Sequence, residues 1–572
     1  MRMGLISRAM QLLHTVRHLR RVQIATQVQR RLVRGRPDRR PAPPRRALDA
    51  AWVEMTQRIP RMTGPQTFRF LEVERTVDTR ASWDEDEWQR LWAYNLHYFE
   101  DLTAENAEQR RPWHAAIVDD WVAANPPAES IGWDPYPLSM RITNWIKWSL
   151  GGGTLSAPAV DSIAVQLRWL TKHLEYRLLA NHLLANAKAL VFGGTFFDGA
   201  EADEWLELGI AILAEQVPEQ ILPDGGHIER SPMYHSVIAA DVLDLVQLAE
   251  RCGRHIAALA AESYEWKRTA SQMLGWLQAM SHPDGEIALL NDAAFDIAPR
   301  PQALYDYAAE LGIDPPPPPG DGIVNLEASG YLRLERGPAV LICDAAPLGP
   351  DYQPGHGHAD ALTFEMSLGL NRFIVDTGTS RYDNGAERLV ERGTAAHNTV
   401  EIDSEDSSEI WSSFRVARRV TPKVLCAEDQ GHSGVEVEAG YDGFERWTNP
   451  GGHVRRWRLG DGELEIIDTV TRRRFDSAVA RFHLHPDVRI TDSAGTATLA
   501  GELTVDQLLR LVPGEVRLDV GNFQISFSSD ASTDRFVAFE YHPMFGVSQP
   551  SVCIECELQG RSNTFRFTWS EV

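Results

Sequence analysis

Asp314-Pro315-Pro316-Pro317-Pro318-Pro319-Gly320 divides this 572-residue chain into two halves of different periodicity. Five consecutive prolines cannot be helical and make a stiff polyproline spacer. Upstream, from about 47 to 312, apolar residues recur at helical spacing. The periodic segments lie near 107–123, 138–150, 158–177, 180–193, 201–217, 232–251 and 262–280. Short connections such as Asn125-Pro126-Pro127, Gly151-Gly152-Gly153 and Gly193-Gly194 separate them. A further helix is expected over Trp83–Leu102, opened by the acids Asp84, Glu85, Asp86 and Glu87, which suit a helix N-terminus. Downstream the period falls to two in Tyr331–Glu335, Val435–Ala439, Leu464–Val470 and Arg535–Tyr541. Helices first and strands afterwards predict an α+β multidomain chain. The expected parts are a basic arm over 1–46, a helical domain over 47–314, the linker 315–322 and an antiparallel β-sandwich over 323–572. Sequential helices with short loops suit a bundle, a solenoid or an α/α toroid, and no fixed repeat marks a solenoid.

Charge is unevenly distributed. Residues 1–46 hold 13 Arg and one acid, Asp38, and so sum to +12; the total of −23 leaves −23 − 12 = −35 for the rest. An acidic body argues against nucleic-acid binding. Five scattered Cys form no disulfide framework and fit a reducing compartment. Cys553 and Cys556, three apart on an expected strand, would face opposite ways. No run of about 18 apolar residues predicts a membrane span. The first 46 residues lack the apolar core of a secretory signal, which makes the cytoplasm the default expectation. Leu12, Leu13, Val16, Leu19, Val22 and Ile24 follow helical spacing among Arg17, Arg20 and Arg21. Such a basic amphipathic helix either touches an anionic membrane surface or packs on the acidic body. The 17 Trp are many, and aromatic rings often line carbohydrate sites or fill cores.

Chemistry concentrates in three places. Gly355-His356-Gly357-His358-Ala359-Asp360 carries a His-x-His pair whose imidazoles would share one face of an extended strand. A turn near Leu368-Gly369-Leu370-Asn371 returns the chain through Asp376, and His397 is expected to begin another strand. His358, Asp376 and His397 are ligand types that suit zinc, which would leave His356 free for proton transfer. In the helical half, Asn181-His182 opens a helix. Asp224-Gly225-Gly226-His227-Ile228-Glu229-Arg230-Ser231-Pro232-Met233-Tyr234-His235 is a Gly-rich loop entering another. There Ser231 is a natural N-cap and Pro232 a natural first residue, which puts Tyr234 in the first turn. The helix dipole would favour an anionic substrate or a phenolate at that position.

Together these motifs resemble the heparinase II/III family of polysaccharide lyases, across about 80 to 572. They include Asn186-Ala187-Lys188-Ala189-Leu190, Asp376-Thr377-Gly378-Thr379 and His397-Asn398-Thr399-Val400. Asn95-Leu96-His97-Tyr98-Phe99, Trp133-Asp134-Pro135-Tyr136-Pro137, Arg141 and Asn144-Trp145 are similar to members that lack a signal peptide. The resemblance implies an (α/α) toroid followed by an antiparallel β-sandwich, with the site in the cleft between them. It also implies β-elimination on an acidic, uronate-containing polysaccharide. Asn181 would neutralise the uronate carboxylate beside His182, His356 would be the base, and Tyr234 the acid or both acid and base. Asn95, His97, Tyr98, Trp133, Tyr136, Arg141 and Arg230 would bind substrate, with Arg177 and Arg381 as further cleft bases. His358, Asp376 and His397 would hold a divalent metal, zinc first and Mn2+ or Ca2+ as alternatives, in a supporting role. Two rivals differ in class. A glycoside hydrolase would draw its two carboxylates from Glu229, Asp224 and Asp292, and a carbohydrate-binding protein of exopolysaccharide metabolism would keep the cleft without turnover. Oligomeric state is not legible.

Overall fold

The structure, a computed structural model, describes residues 5–32, 35–48, 52–53, 55, 58–314, 317–443 and 451–572. Two helices, α1 (Leu5–Val16) and α2 (Arg21–Leu32), form the arm. The helical half then runs through α3 (Arg90–Tyr98), α4 (Arg111–Ala124), α5 (Pro135–Leu150), α6 (Ala157–Leu170) and α7 (Ala180–Phe196). It continues with α8 (Ala200–Gln220), α9 (Pro232–Cys252), α10 (Ala257–Ala279) and α11 (Pro301–Glu310). Neighbours in sequence pack as hairpins, α7 on α8 and α9 on α10, and α5, α7 and α9 touch across them. This is the (α/α) toroid, with many aromatic rings in its core and at its seam with the second half. Trp83, Trp92, Trp121, Trp145 and Trp276 are fully buried, so these indoles build core and not cleft.

Three sequence expectations change here. The stretch before α3 is not all helix: Met62–Gly64, Thr67–Phe70 and Val73–Thr76 form a small antiparallel sheet. Phe68 and Phe70 turn inward while Arg69 turns out, a two-residue alternation masked by the helical surroundings. The acidic run precedes α3 in a 3-10 turn and a loop, so that helix is shorter than the expected Trp83–Leu102. Gly193 and Gly194 lie inside α7 and do not end it. A Cβ on Gly194 would sit 2.6 Å from the Ala202 carbonyl oxygen, so these glycines permit close helix approach.

Pro315 and Pro316 lie outside the described residues; α11 ends at Glu310 and the first strand of the second half begins at Gly322. That half opens with a five-stranded antiparallel meander: Gly322–Leu326, Tyr331–Arg336, Ala339–Asp344, Phe364–Leu368 and Asn371–Ile374. Leu368 pairs with Asn371 around Gly369, whose φ of 57° makes the tight turn the sequence called for. A four-stranded sheet and a nine-stranded sheet complete the β-sandwich. Phe364, Ile466, Phe482, Phe527, Phe565 and Phe567 interlock between the layers. Cys553 and Cys556 are both buried and free on the strand Gln549–Glu557.

The halves are tied together by polar contacts that no sequence pattern announced. Trp276 Nε1 donates to Ser329 Oγ at 2.9 Å, and Ser329 donates from its backbone N and Oγ to Asp224 Oδ2. His282 Nε2 lies 3.1 Å from Glu365 Oε2, and Arg372 Nε donates to Asp284 at 2.7 Å. These buried or half-buried pairs fix the two faces that enclose the site.

Candidate active site

The site grows from one loop and one cap. Gly225 has φ of 89°, and a Cβ there would strike the Gln272 carbonyl, so only glycine allows the turn. The loop delivers Ser231, whose Oγ accepts from the Tyr234 amide at 3.2 Å and caps α9, with Pro232 at its first position. Ser231 Oγ also donates to the Asp292 carbonyl at 2.6 Å. Tyr234 therefore stands in the first turn, held against the segment that carries Asp292.

His356 meets it from the other half. The two rings are 4.0 Å apart between centroids. His356 Nδ1 lies 2.9 Å from Asp292 Oδ2, which leaves Nε2 as the nitrogen not held by that carboxylate; Glu229 Oε2 is 3.6 Å from it. Asp292 is fully buried, and Arg388 pairs with it, Nη2 donating to Oδ2 at 2.7 Å and Nη1 lying 2.5 Å from Oδ1 in ion-pair contact. Burial opposes its ionisation, but Arg388 and the two imidazoles outweigh that and hold the carboxyl well below the usual range. Glu229 lies between His356 and Asn181: it accepts from the Asn181 amide at 3.0 Å and from Nδ2 at 3.3 Å, while Asn181 Oδ1 is buried without a partner. Tyr382 completes the cluster, its hydroxyl 3.1 Å from that of Tyr234. Burial, then Tyr382, pushes the Tyr234 hydroxyl well above its ordinary value. The expected phenolate at the helix start is thus not supported: burial of the ring holds the Tyr234 hydroxyl in its protonated form.

His182 lies at the edge of this group, with Nδ1 3.0 Å from Glu175 Oε2 and its ring 4.7 Å from that of Tyr136. Tyr98 backs Tyr136 at 5.8 Å. The remaining expected substrate contacts go elsewhere. His97 is wholly buried, between the Trp83 carbonyl and Trp121 Nε1, and burial pulls it down to about 3. Arg141, equally buried, donates to Gln166, His97 and Gly132 and lies 3.8 Å over the Trp121 ring. Trp133 is buried and donates to the Asn125 carbonyl. These three brace the toroid, a job that polar side chains in a helical core must do because each buried donor needs an acceptor. Arg230 is spent on the Ser329 carbonyl, joining the halves. Asn95 donates to Leu91 O and borders a separate recess with Phe295 and Phe545. Arg177 and Arg381 pair with Glu175 and Glu387.

His356 and His358 do not sit on a pleated strand. They lie in a loop before Phe364, and both imidazoles close on one carboxylate, His358 Nε2 reaching Asp292 Oδ1 at 2.8 Å. His397 also precedes its strand, which starts at Val400, and its Nδ1 is 2.7 Å from Asp376 Oδ2. The His358 and His397 rings are 5.3 Å apart. The donor types suit zinc, and His358 Nδ1 and His397 Nε2 are buried without partners. As placed, no three such side chains among the described residues converge as a metal-holding group, and Asp376 Oδ2 contacts His397 Nδ1.

A toroid faces an antiparallel sandwich, with Asn181, Tyr234 and His356 gathered between them. The chain belongs to the heparinase II/III-like family: its N-terminal family model matches residues 85–308 and its C-terminal model residues 318–570. Among relatives, it is 25% identical over 433 residues to FtsZ-localized protein C of Caulobacter vibrioides, covering 70% of each chain. It is 24% identical over 297 residues to a heparin-sulfate lyase of Bacteroides thetaiotaomicron, spanning 46% of this chain and only 42% of that relative. In fold it resembles the crystal structure of heparinase III, with TM-score 0.60 at 18% identity, over 81% of this chain and 74% of the other.

Proposed function

We propose that this chain cleaves a uronic-acid-containing polysaccharide, of the glycosaminoglycan kind, by β-elimination. The observation that carries the reading is the close tilted contact of the Tyr234 and His356 rings, with Nδ1 of the imidazole held by Asp292. His356 Nε2 takes the proton from C5 of the uronate. The Asn181 amide hydrogen-bonds the uronate carboxylate and relieves the charge that otherwise makes that proton hard to remove. Tyr234 donates its hydroxyl proton to the glycosidic oxygen as the C4–O bond breaks and the C4–C5 double bond forms. Glu229 orients Asn181, Asp292 orients His356, and Tyr382 orients the Tyr234 hydroxyl. Neither Asp292, committed to Arg388 and two imidazoles, nor Asp224, committed to Ser329, is placed to serve a hydrolase. Purified chain mixed with heparan, chondroitin, hyaluronan, alginate or bacterial exopolysaccharides should raise ultraviolet absorbance from unsaturated uronyl ends on at least one. Reducing ends accumulating without that chromophore would replace the lyase by a hydrolase; binding without either product would leave a carbohydrate-binding protein.

A divalent ion at His358, Asp376 and His397 forms a second part of the proposal, supported by the two partnerless imidazole nitrogens. Bound there it would tie the His356 loop to the strand of Asp376 and supply no step of the chemistry. Metal in excess should stabilise the fold by about 3–4 kcal/mol at 100–1,000 times its Kd. A chelator should then lower the Tm of wild type and leave His358→Ala/Asp376→Ala unmoved. Metal-free protein by elemental analysis, with no chelator effect, removes the ion from the account.

A further inference from the structure

The arm packs inside out. In α1 the residues facing the body are polar: Gln11 Nε2 donates to Glu409, and Thr15 Oγ1 donates to the Val416 carbonyl while accepting from Trp411 Nε1. In α2, Gln23 reaches the carbonyls of Tyr352 and Arg177, and just before it Arg20 pairs with Glu219 at 2.7 Å and lies over the Tyr352 ring. The apolar side chains point away. Leu12 is 46% exposed, Leu13 58%, Val16 47%, Ile24 47% and Val28 52%, and none of them packs on a described core cluster. Arg8, Arg17, Arg21 and Arg31 are exposed around that row.

We propose that this outer face of α1 and α2 lies on an anionic lipid-bilayer surface. A soluble helix turns its apolar face to the core, and here the core-facing side is already filled by polar contacts. An apolar stripe flanked by arginines is the composition that enters the headgroup boundary of acidic lipids. The charge distribution agrees, since the +12 arm would seat a −35 body that such a surface repels. No described helix is long and apolar enough to cross the membrane, so the arm rests on it.

Flotation of the full chain with vesicles provides the test. Wild type should float with phosphatidylglycerol/phosphatidylcholine vesicles, less as salt is raised, and remain unbound with pure phosphatidylcholine. Leu13→Glu/Val16→Glu/Val28→Glu should weaken binding about tenfold or more, with an unchanged Tm because those side chains belong to no described core cluster. Absent binding to anionic vesicles, equal binding to neutral ones, or full binding by the triple variant each overturns the proposal. So does a dimer in solution that the triple variant dissolves while lipid binding is missing.

Discussion

Tyr234→Phe should lower kcat on a cleaved uronate polymer by about 10²–10⁴-fold, roughly 3–5 kcal/mol of barrier, with little change in Tm. Among the described residues the hydroxyl bonds only Tyr382, so its loss costs the fold about 1 kcal/mol. His356→Ala should match it, because the imidazole contributes Nε2 to the reaction. Burial keeps the Tyr234 proton in place, so activity should not rise with alkaline pH as it would if a phenolate had to form first. Measuring kcat against pH for both variants and wild type checks this. More than about a tenth of wild-type rate in Tyr234→Phe would take the acid role from Tyr234.

The largest stability effect should come from Arg388→Met. Arg388 and Asp292 are both wholly buried, and removing the guanidinium leaves the carboxylate facing two imidazoles without its principal partner. Breaking a buried pair of this kind costs about 3–5 kcal/mol. The sign with pH follows from the depressed Asp292 carboxyl. Its stabilisation is complete above the unfolded value of about 4 and fades as pH falls through the lower folded value. Chemical denaturation at neutral pH and below should show wild type losing this advantage on acidification, and Arg388→Met lacking it throughout. A loss under about 1 kcal/mol at neutral pH would mean that water or a rearranged neighbour takes over from the guanidinium.

Much of the helical half is legible because burial of one face imposes a period of 3.6: α4 to α10 each overlap a periodic segment, although α6 stops at Leu170, short of the expected 177, and α10 starts at Ala257, before the expected 262. The N-cap Ser231 and Pro232 were equally readable, since capping is local chemistry. The motif residues were less so. His97, Trp133 and Arg141 sit in runs that match the family as well as Asn181 and Tyr234 do, yet they are core braces, and a motif cannot distinguish a conserved-looking donor in a core from one in a cleft. Asp292, Arg388 and Tyr382 carry no signature of their own. Asn291-Asp292 follows an apolar run and reads as a turn, and Arg388 lies on a six-residue helix in a loop.

Local periodicity, turn chemistry and the order of helices and strands were thus determined by the sequence alone, because each depends on residues within a few positions of one another. The tertiary structure alone decided which carboxylate holds His356, which hydroxyl faces Tyr234, and which side of the arm meets solvent. Those contacts join residues 61 or more positions apart, such as Ser231 with Asp292, Asp292 with His356 and Tyr234 with Tyr382. At such separations only the packing of one whole layer on another sets the distance.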